Sequence, residues 1–199
     1  MRVVPKWALL PSGCAPVLLA GGWTIAGTLE GPAYDPVTQT ISVLAAYGAA
    51  GFWVMTGALV ALGACYLLTA WGLRAATLAG RVALGGGGLA ALMVALFPAP
   101  TSGGSLRHGS VAAAGFTLMA VWPVLAARRG GAAPWGLRLV PSLVATAVMG
   151  VGAAWFLFEM QVRGAPGVAE RVVTSAQSVW PFVVVASCLL HPRHDQRLT

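Results

Sequence analysis

Six apolar stretches run almost end to end through the 199 residues, at roughly 8–28, 50–71, 82–97, 108–127, 139–160 and 171–190. A helix needs about 20 apolar residues to cross the hydrocarbon core of a bilayer. Six crossings therefore leave only termini and loops. Charged residues make up 9% of the chain and hydrophobic ones 58%, against about 25% charged in a soluble domain. A water-facing surface of ordinary extent is excluded, and so is a separate soluble domain. The expected fold is all-α: a single polytopic integral membrane domain over 1–199, built as a six-helix bundle.

The formal net charge of +7 does not point to nucleic acid. The basic residues stand singly or in pairs between apolar spans, without a stripe or interleaved aromatics. They read as topology signals. Arg2, Lys6, Arg74, Arg81, Arg128, Arg129, Arg138, Arg193 and Arg197 fall on one side, nine of the twelve. Arg107, Arg163 and Arg171 fall on the other, with Glu30, Asp35, Glu159 and Glu170, four of the five acids. Both termini are expected in the cytoplasm, and a polar cluster at the extracytoplasmic face of a bacterial inner membrane. The apolar run before Cys14 is too short for a cleaved signal and continues to Ala26, so the first span is expected to be retained. Cys14, Cys65 and Cys188 lie within apolar stretches without metal-type spacing, and read as packing residues.

The third span holds Gly85-Gly86-Gly87-Gly88 and ends at Phe97-Pro98-Ala99-Pro100. No Lys or Ser/Thr follows the glycines in phosphate-loop order. They are expected to let helices approach closely. No internal repeat is visible, which weakens an inverted-repeat transporter reading.

Four residues could carry acid–base chemistry. Asp35 precedes Pro36, the pattern of an N-cap with proline at the first helical position. From there Asp35, Gln39 and Ser42 share one helical face beside Tyr34. Glu159 ends the fifth span, where it can reach water or pair with Arg163 at i+4. Trp155, one turn below, and Phe158 beside it supply aromatic packing that favours a neutral carboxyl. Glu170 opens the sixth span and shares a stripe with Thr174, Gln177 and Pro181. Such a stripe faces a bundle interior, and Glu170 with Arg171 can pin a loop. His108 opens the fourth span as an acid, a base or an orienting group. One interior histidine supplies neither paired haem ligation nor a zinc site, so no metal or cofactor is expected. Of 17 aromatic residues eight are tryptophan. Trp7 and Trp135 suit the membrane interface; Trp23, Trp53, Trp122, Trp155 and Trp180 lie deeper, where indoles fill a core or face a cation.

The segment Tyr34-Asp35-Pro36-Val37-Thr38-Gln39-Thr40-Ile41-Ser42, the break Phe97-Pro98 ahead of His108-Gly109, and Gly167-Val168-Ala169-Glu170-Arg171 together resemble a large, poorly characterised family of short bacterial six-span proteins of unknown function. The resemblance spans about residues 15–190. In size, span count and aromatic content the chain also resembles small bacterial membrane-bound terpene cyclases of meroterpenoid (drimentine- and xiamycin-type) pathways. That second resemblance implies metal-independent cyclisation of a prenyl chain, started by protonating an alkene or epoxide.

One reading is therefore a membrane-embedded terpene cyclase or isomerase acting on a prenylated, lipid-soluble substrate. In it Glu159 or Asp35 donates the proton, and His108 or Glu170 orients the acid or takes the final proton. Trp53, Trp155, Phe158, Trp180, Tyr34, Gln39 and Gln177 would line the cavity. The rival is a non-catalytic envelope protein that binds a lipid or a partner, and a small proton-coupled transporter comes third. All three place the chain in a lipid bilayer, and none involves nucleic acid.

Overall fold

The computed structural model describes residues 4–100, 104–130 and 133–191. Arg2, Arg193, His194, Asp195 and Arg197 lie outside them. Among the described residues the protein is helical, without a strand. Six helices are long and apolar enough to cross a membrane, the first lengthened at both ends by single 3-10 turns. They are α1 (Leu9–Glu30), α3 (Phe52–Gly72), α4 (Leu78–Leu96), α5 (Leu106–Ala126), α6 (Leu139–Val162) and α7 (Pro166–Leu190). A four-residue helix, α2 (Ile41–Leu44), lies in the first connection.

The helix ends follow local chemistry. Thr77 caps α4 by accepting from the Gly80 N–H, which starts that helix four residues before the apolar run. Ser105 caps α5 through the His108 N–H. Pro166 stands at the first position of α7, where its missing N–H costs nothing. One expectation changes: Asp35 starts a turn rather than a helix. Residues 36–39 form a bent turn, so Asp35, Gln39 and Ser42 do not share a helical face.

The long helices form a ring in chain order. α1 packs on α3, α3 on α4, α4 on α5, α5 on α6, α6 on α7, and α7 returns to α1. Apolar side chains gain little by leaving lipid for protein, so close van der Waals approach must hold such a ring. The glycine run supplies it on two sides. A Cβ at Gly63 would stand 2.7 Å from the Gly88 carbonyl oxygen, and one at Gly88 would stand 2.8 Å from that of Gly63. On the next side of α4, a Cβ at Gly87 would meet the Met119 sulfur of α5 at 2.5 Å. Lower on the same seam, one at Gly80 would fall 2.3 Å from the Ala126 Cα. α6 is the outlier: its buried residues are Ser142, Ala145 and Met149, and most of its surface is left open.

Gly88→Ala should force α3 and α4 apart and cost about 1–3 kcal/mol. Gly85→Ala meets Ala70 only at 3.7 Å, so the better helix propensity of alanine should leave stability unchanged or raise it by up to about 1 kcal/mol. Thermal unfolding in detergent separates the two, and equal losses would refute the close-contact account.

Candidate functional site

The first connection folds back over the start of α7. Its backbone lacks helical partners, and α7 supplies them. The N–H groups of Gly167 and Val168 donate to the Val37 carbonyl at 2.9 and 3.3 Å. Arg171 extends from the next turn, and its Nη1 donates to the carbonyls of Pro36 at 2.9 Å, Gln39 at 3.3 Å and Gly167 at 2.8 Å. Its Nη2 donates to the Tyr34 hydroxyl. The guanidinium carbon stands 5.8 Å from the ring centres of both Trp23 and Tyr34. Gly167 is required beneath this loop, because a Cβ there would lie 2.3 Å from the Gln39 oxygen.

Glu170, one residue before the latch, points the other way. It is 5% exposed. One carboxyl oxygen accepts from the Ile41 N–H at the start of α2; the other has no hydrogen-bond partner among the described residues. Glu170 and Arg171 therefore do not pair with each other to pin the loop; each reaches it separately. Across the loop, His108 Nε2 is 3.1 Å from the Ser42 hydroxyl and Nδ1 is 2.9 Å from the Phe97 carbonyl. The three sequence segments set apart above thus meet at one end of the bundle.

Below this cap lies a partly open cavity of about 120 Å³, lined from α1, α3, α4, α5 and α7. Glu170, Thr174, Gln177 and Ser42 are its polar lining. Leu62, Tyr66, Phe116 and Met119 bound it with the small inner residues of α4 and α5. Gln177 Nε2 donates to the Phe116 carbonyl at 3.0 Å, so its amide ties α7 to α5 across the ring.

The other candidate residues lie elsewhere. Glu159 sits at the surface and holds a turn. Its carboxylate accepts from the Trp155 Nε1–H at 2.9 Å and from the Ala165 N–H at 2.7 Å, where Arg163 leaves α6 in a left-handed conformation with φ 54°. Among the described residues it forms no ion pair with Arg163. Asp35 is exposed and closes the loop turn, accepting from the Thr38 hydroxyl at 2.7 Å and the Val37 N–H at 2.9 Å. Those two hydrogen bonds, the hydroxyl first, hold its carboxyl below the usual range. The Gln39 amide oxygen accepts from the Asp35 N–H. Burial raises the Tyr34 hydroxyl above its usual range, against the opposing pull of Arg171. Trp53, 80% exposed, and Phe158, 60% exposed, face outward with Trp155. Trp180 packs on Trp135 at 5.9 Å near the far end of α7. None of these four lines the cavity. Sequence reasoning gave no role to Glu30, whose carboxylate accepts from the Gly51 N–H at 2.8 Å and ties α1 to α3.

These features define a six-span helical membrane protein with a loop-capped axial cavity and one buried acid at its rim. Residues 14–187 match the family described as Protein of unknown function (DUF998), and the chain belongs to that family. Nothing among the curated proteins and nothing among the solved structures matches it.

Arg171→Lys keeps the charge but removes the fork that reaches three carbonyls and Tyr34. Hydrogen exchange across residues 34–44 should quicken about ten- to a hundredfold, from the worth of charge-assisted hydrogen bonds, while α3 and α4 stay protected. Unchanged protection in the loop would count against the latch. Acid provides a separate test. The folded pKa of Asp35 lies below its unfolded value, so the stability it lends is present above about pH 3.9 and is lost as pH falls through the folded value. Pepsin should therefore cut the wild-type loop increasingly as the pH drops below about 4. With cleavage normalised to an unfolded control peptide at each pH, Asp35→Asn should flatten that rise, and a variant with the wild-type profile would show that Asp35 does not govern it.

Proposed function

We propose that the protein is a membrane-embedded binding protein that takes one chain or branch of a lipid-like molecule into the axial cavity, with Glu170 as the polar anchor. The observation that carries this reading is a buried carboxyl with one uncommitted oxygen at the rim of a largely apolar void. Ionisable groups inside a membrane domain are costly and mark function by default. A carboxyl there can accept a hydrogen bond from a ligand hydroxyl or amide, or donate one when protonated.

Size supports binding over conversion of a whole prenylated substrate. About 120 Å³ holds a ring or a few carbons, whereas pockets for whole small molecules run about 300–1,000 Å³. The aromatic lining is Tyr66 and Phe116, with no tryptophan. The proton-initiated cyclase reading would need a wider chamber than this conformation holds. Within it Glu170, rather than Glu159 or Asp35, would be the acid, with His108 acting on the cap through Ser42. Positive charge supports an orientation with the capped end outside a bacterial inner membrane, so the ligand would enter from the bilayer or from the outer leaflet.

The test compares lipid extracts of purified wild-type protein with those of Ala90→Phe, which fills the cavity, and Glu170→Gln, which keeps an acceptor for the Ile41 N–H. A lipid-soluble compound near one per chain in wild type, absent from Ala90→Phe and reduced in Glu170→Gln, is the expected result. Equal recovery from all three folded proteins would sink the proposal. Incubation with farnesylated and epoxyfarnesylated aromatic acceptors adds a second arm. A Glu170-dependent product of unchanged mass and shifted retention would replace binding with cyclisation.

A further inference from the structure

The opposite end of the bundle carries a second cavity, of about 560 Å³, between the end of α5 and the start of α6. Arg128, Arg129 and Arg138 line it together with Trp135, Leu139 and Val140. The backbone builds this cluster. The Arg128 N–H donates to the Leu137 carbonyl at 2.7 Å, forming an isolated parallel bridge between Arg128 and Arg138. The bridge holds the two residues side by side, and both line the pocket.

Their surroundings fix them further. Arg128 Nε donates to the Ala75 carbonyl at 2.8 Å and Nη2 to that of Ala76 at 3.5 Å, which pins the group over the α3–α4 turn. Its Nη1 has no partner among the described residues. Arg138 Nε donates to the Ala133 carbonyl at 3.1 Å. The 3-10 turn at Trp135–Leu137 is itself docked, with the Gly136 N–H donating to the Ser187 hydroxyl of α7 at 3.1 Å. Arg129 is exposed and makes no hydrogen bond among the described residues. Glu30, Asp35, Glu159 and Glu170 all lie at the capped end, and Asp195 falls outside the described residues.

The geometry points to a binding site for the phosphate headgroup of an anionic phospholipid, held by Arg128 and Arg129. Planar guanidiniums donate to phosphate in pairs, and basic pockets at the ends of membrane helices collect anionic headgroups. The apolar half of the pocket selects a lipid over a free anion. Leu139 and Val140 open onto the uncovered face of α6, where Val144, Val148 and Val151 continue outward along the span. An acyl chain can lie along that face while its headgroup occupies the pocket, and Trp135, 53% exposed, stands at the level where interfacial indoles sit.

Full-length protein, delipidated in detergent, is mixed with vesicles of dioleoyl phosphatidylcholine, alone or with dioleoyl phosphatidylglycerol added, and retained lipid is read by native mass spectrometry. Wild type should keep phosphatidylglycerol and shed phosphatidylcholine. Arg129→Gln touches no structural hydrogen bond and should weaken retention about fivefold, and Arg128→Gln with Arg129→Gln more than tenfold. Arg107→Gln, at the capped end, should leave it unchanged. Equal retention of the two lipids, or phosphatidylglycerol retention indifferent to Arg129→Gln, would overturn the assignment. Full displacement of the lipid by inorganic phosphate would overturn it too, giving the pocket to a free anion.

Discussion

The fold turns on a loop whose carbonyls find their donors on a helix more than a hundred residues away. Residues 34–40 run over the bundle end without helical partners, and near a bilayer unpaired N–H and C=O groups cost several kcal/mol each. The first turn of a helix has the opposite problem, since its N–H groups are orphaned. Docking the loop on α7 solves both at once. Gly167 and Val168 donate to Val37, and Arg171 takes the carbonyls that those amides cannot reach. The absence of a side chain at Gly167 lets the two backbones touch.

The position of Glu170 follows from that docking. Once Arg171 points up into the loop, its predecessor is turned about 100° around the helix and meets the bundle interior. There, among the described residues, the one backbone donor it reaches is the Ile41 N–H, the first of α2. The loop thus orients the acid, and the acid fixes the start of α2. Ser42, one residue on, is brought to His108, whose second nitrogen faces the Phe97 carbonyl at the end of α4. A chain of short polar contacts links α7, the cap, α5 and α4, all at the mouth of the cavity.

The six spans were legible because hydropathy and length are local properties, and a bilayer accepts few alternatives to helices. The helix starts were less so. α4 begins at Leu78 because a Thr77 hydroxyl caps it, ahead of the apolar run. The candidate acids divide in an instructive way. The aromatic neighbours of Glu159 suggest a neutral carboxyl, yet the helix ends within a turn of it. The left-handed Arg163 then brings the Ala165 N–H back to the carboxylate, and Trp155 supplies an N–H rather than only a ring face. In the sequence Glu170 is one member of a polar stripe. Its partner lies 129 residues away in sequence, and no spacing rule reaches that far. The same holds for Tyr34 with Arg171 and Ser42 with His108: each motif was visible, but their meeting was a tertiary fact.

The axial void has a plain origin in how the ring is held. Gly63, Gly80, Gly87 and Gly88 draw α3, α4 and α5 together along their seams, and the small residues that allow this continue onto the inner faces as Ala90, Ala91, Ala112 and Gly115. Small residues on the inner faces of α4 and α5 leave space there that the larger side chains around it do not fill. A void made that way would be apolar throughout, as the lining from α3, α4 and α5 largely is. α7 breaks the pattern by turning Glu170, Thr174 and Gln177 inward along one stripe. Thr174 satisfies itself on the Glu170 carbonyl at 2.7 Å, and Gln177 bonds across to α5. The second Glu170 oxygen has no hydrogen-bond partner among the described residues, so the one buried carboxyl of the stripe is only half satisfied by the protein.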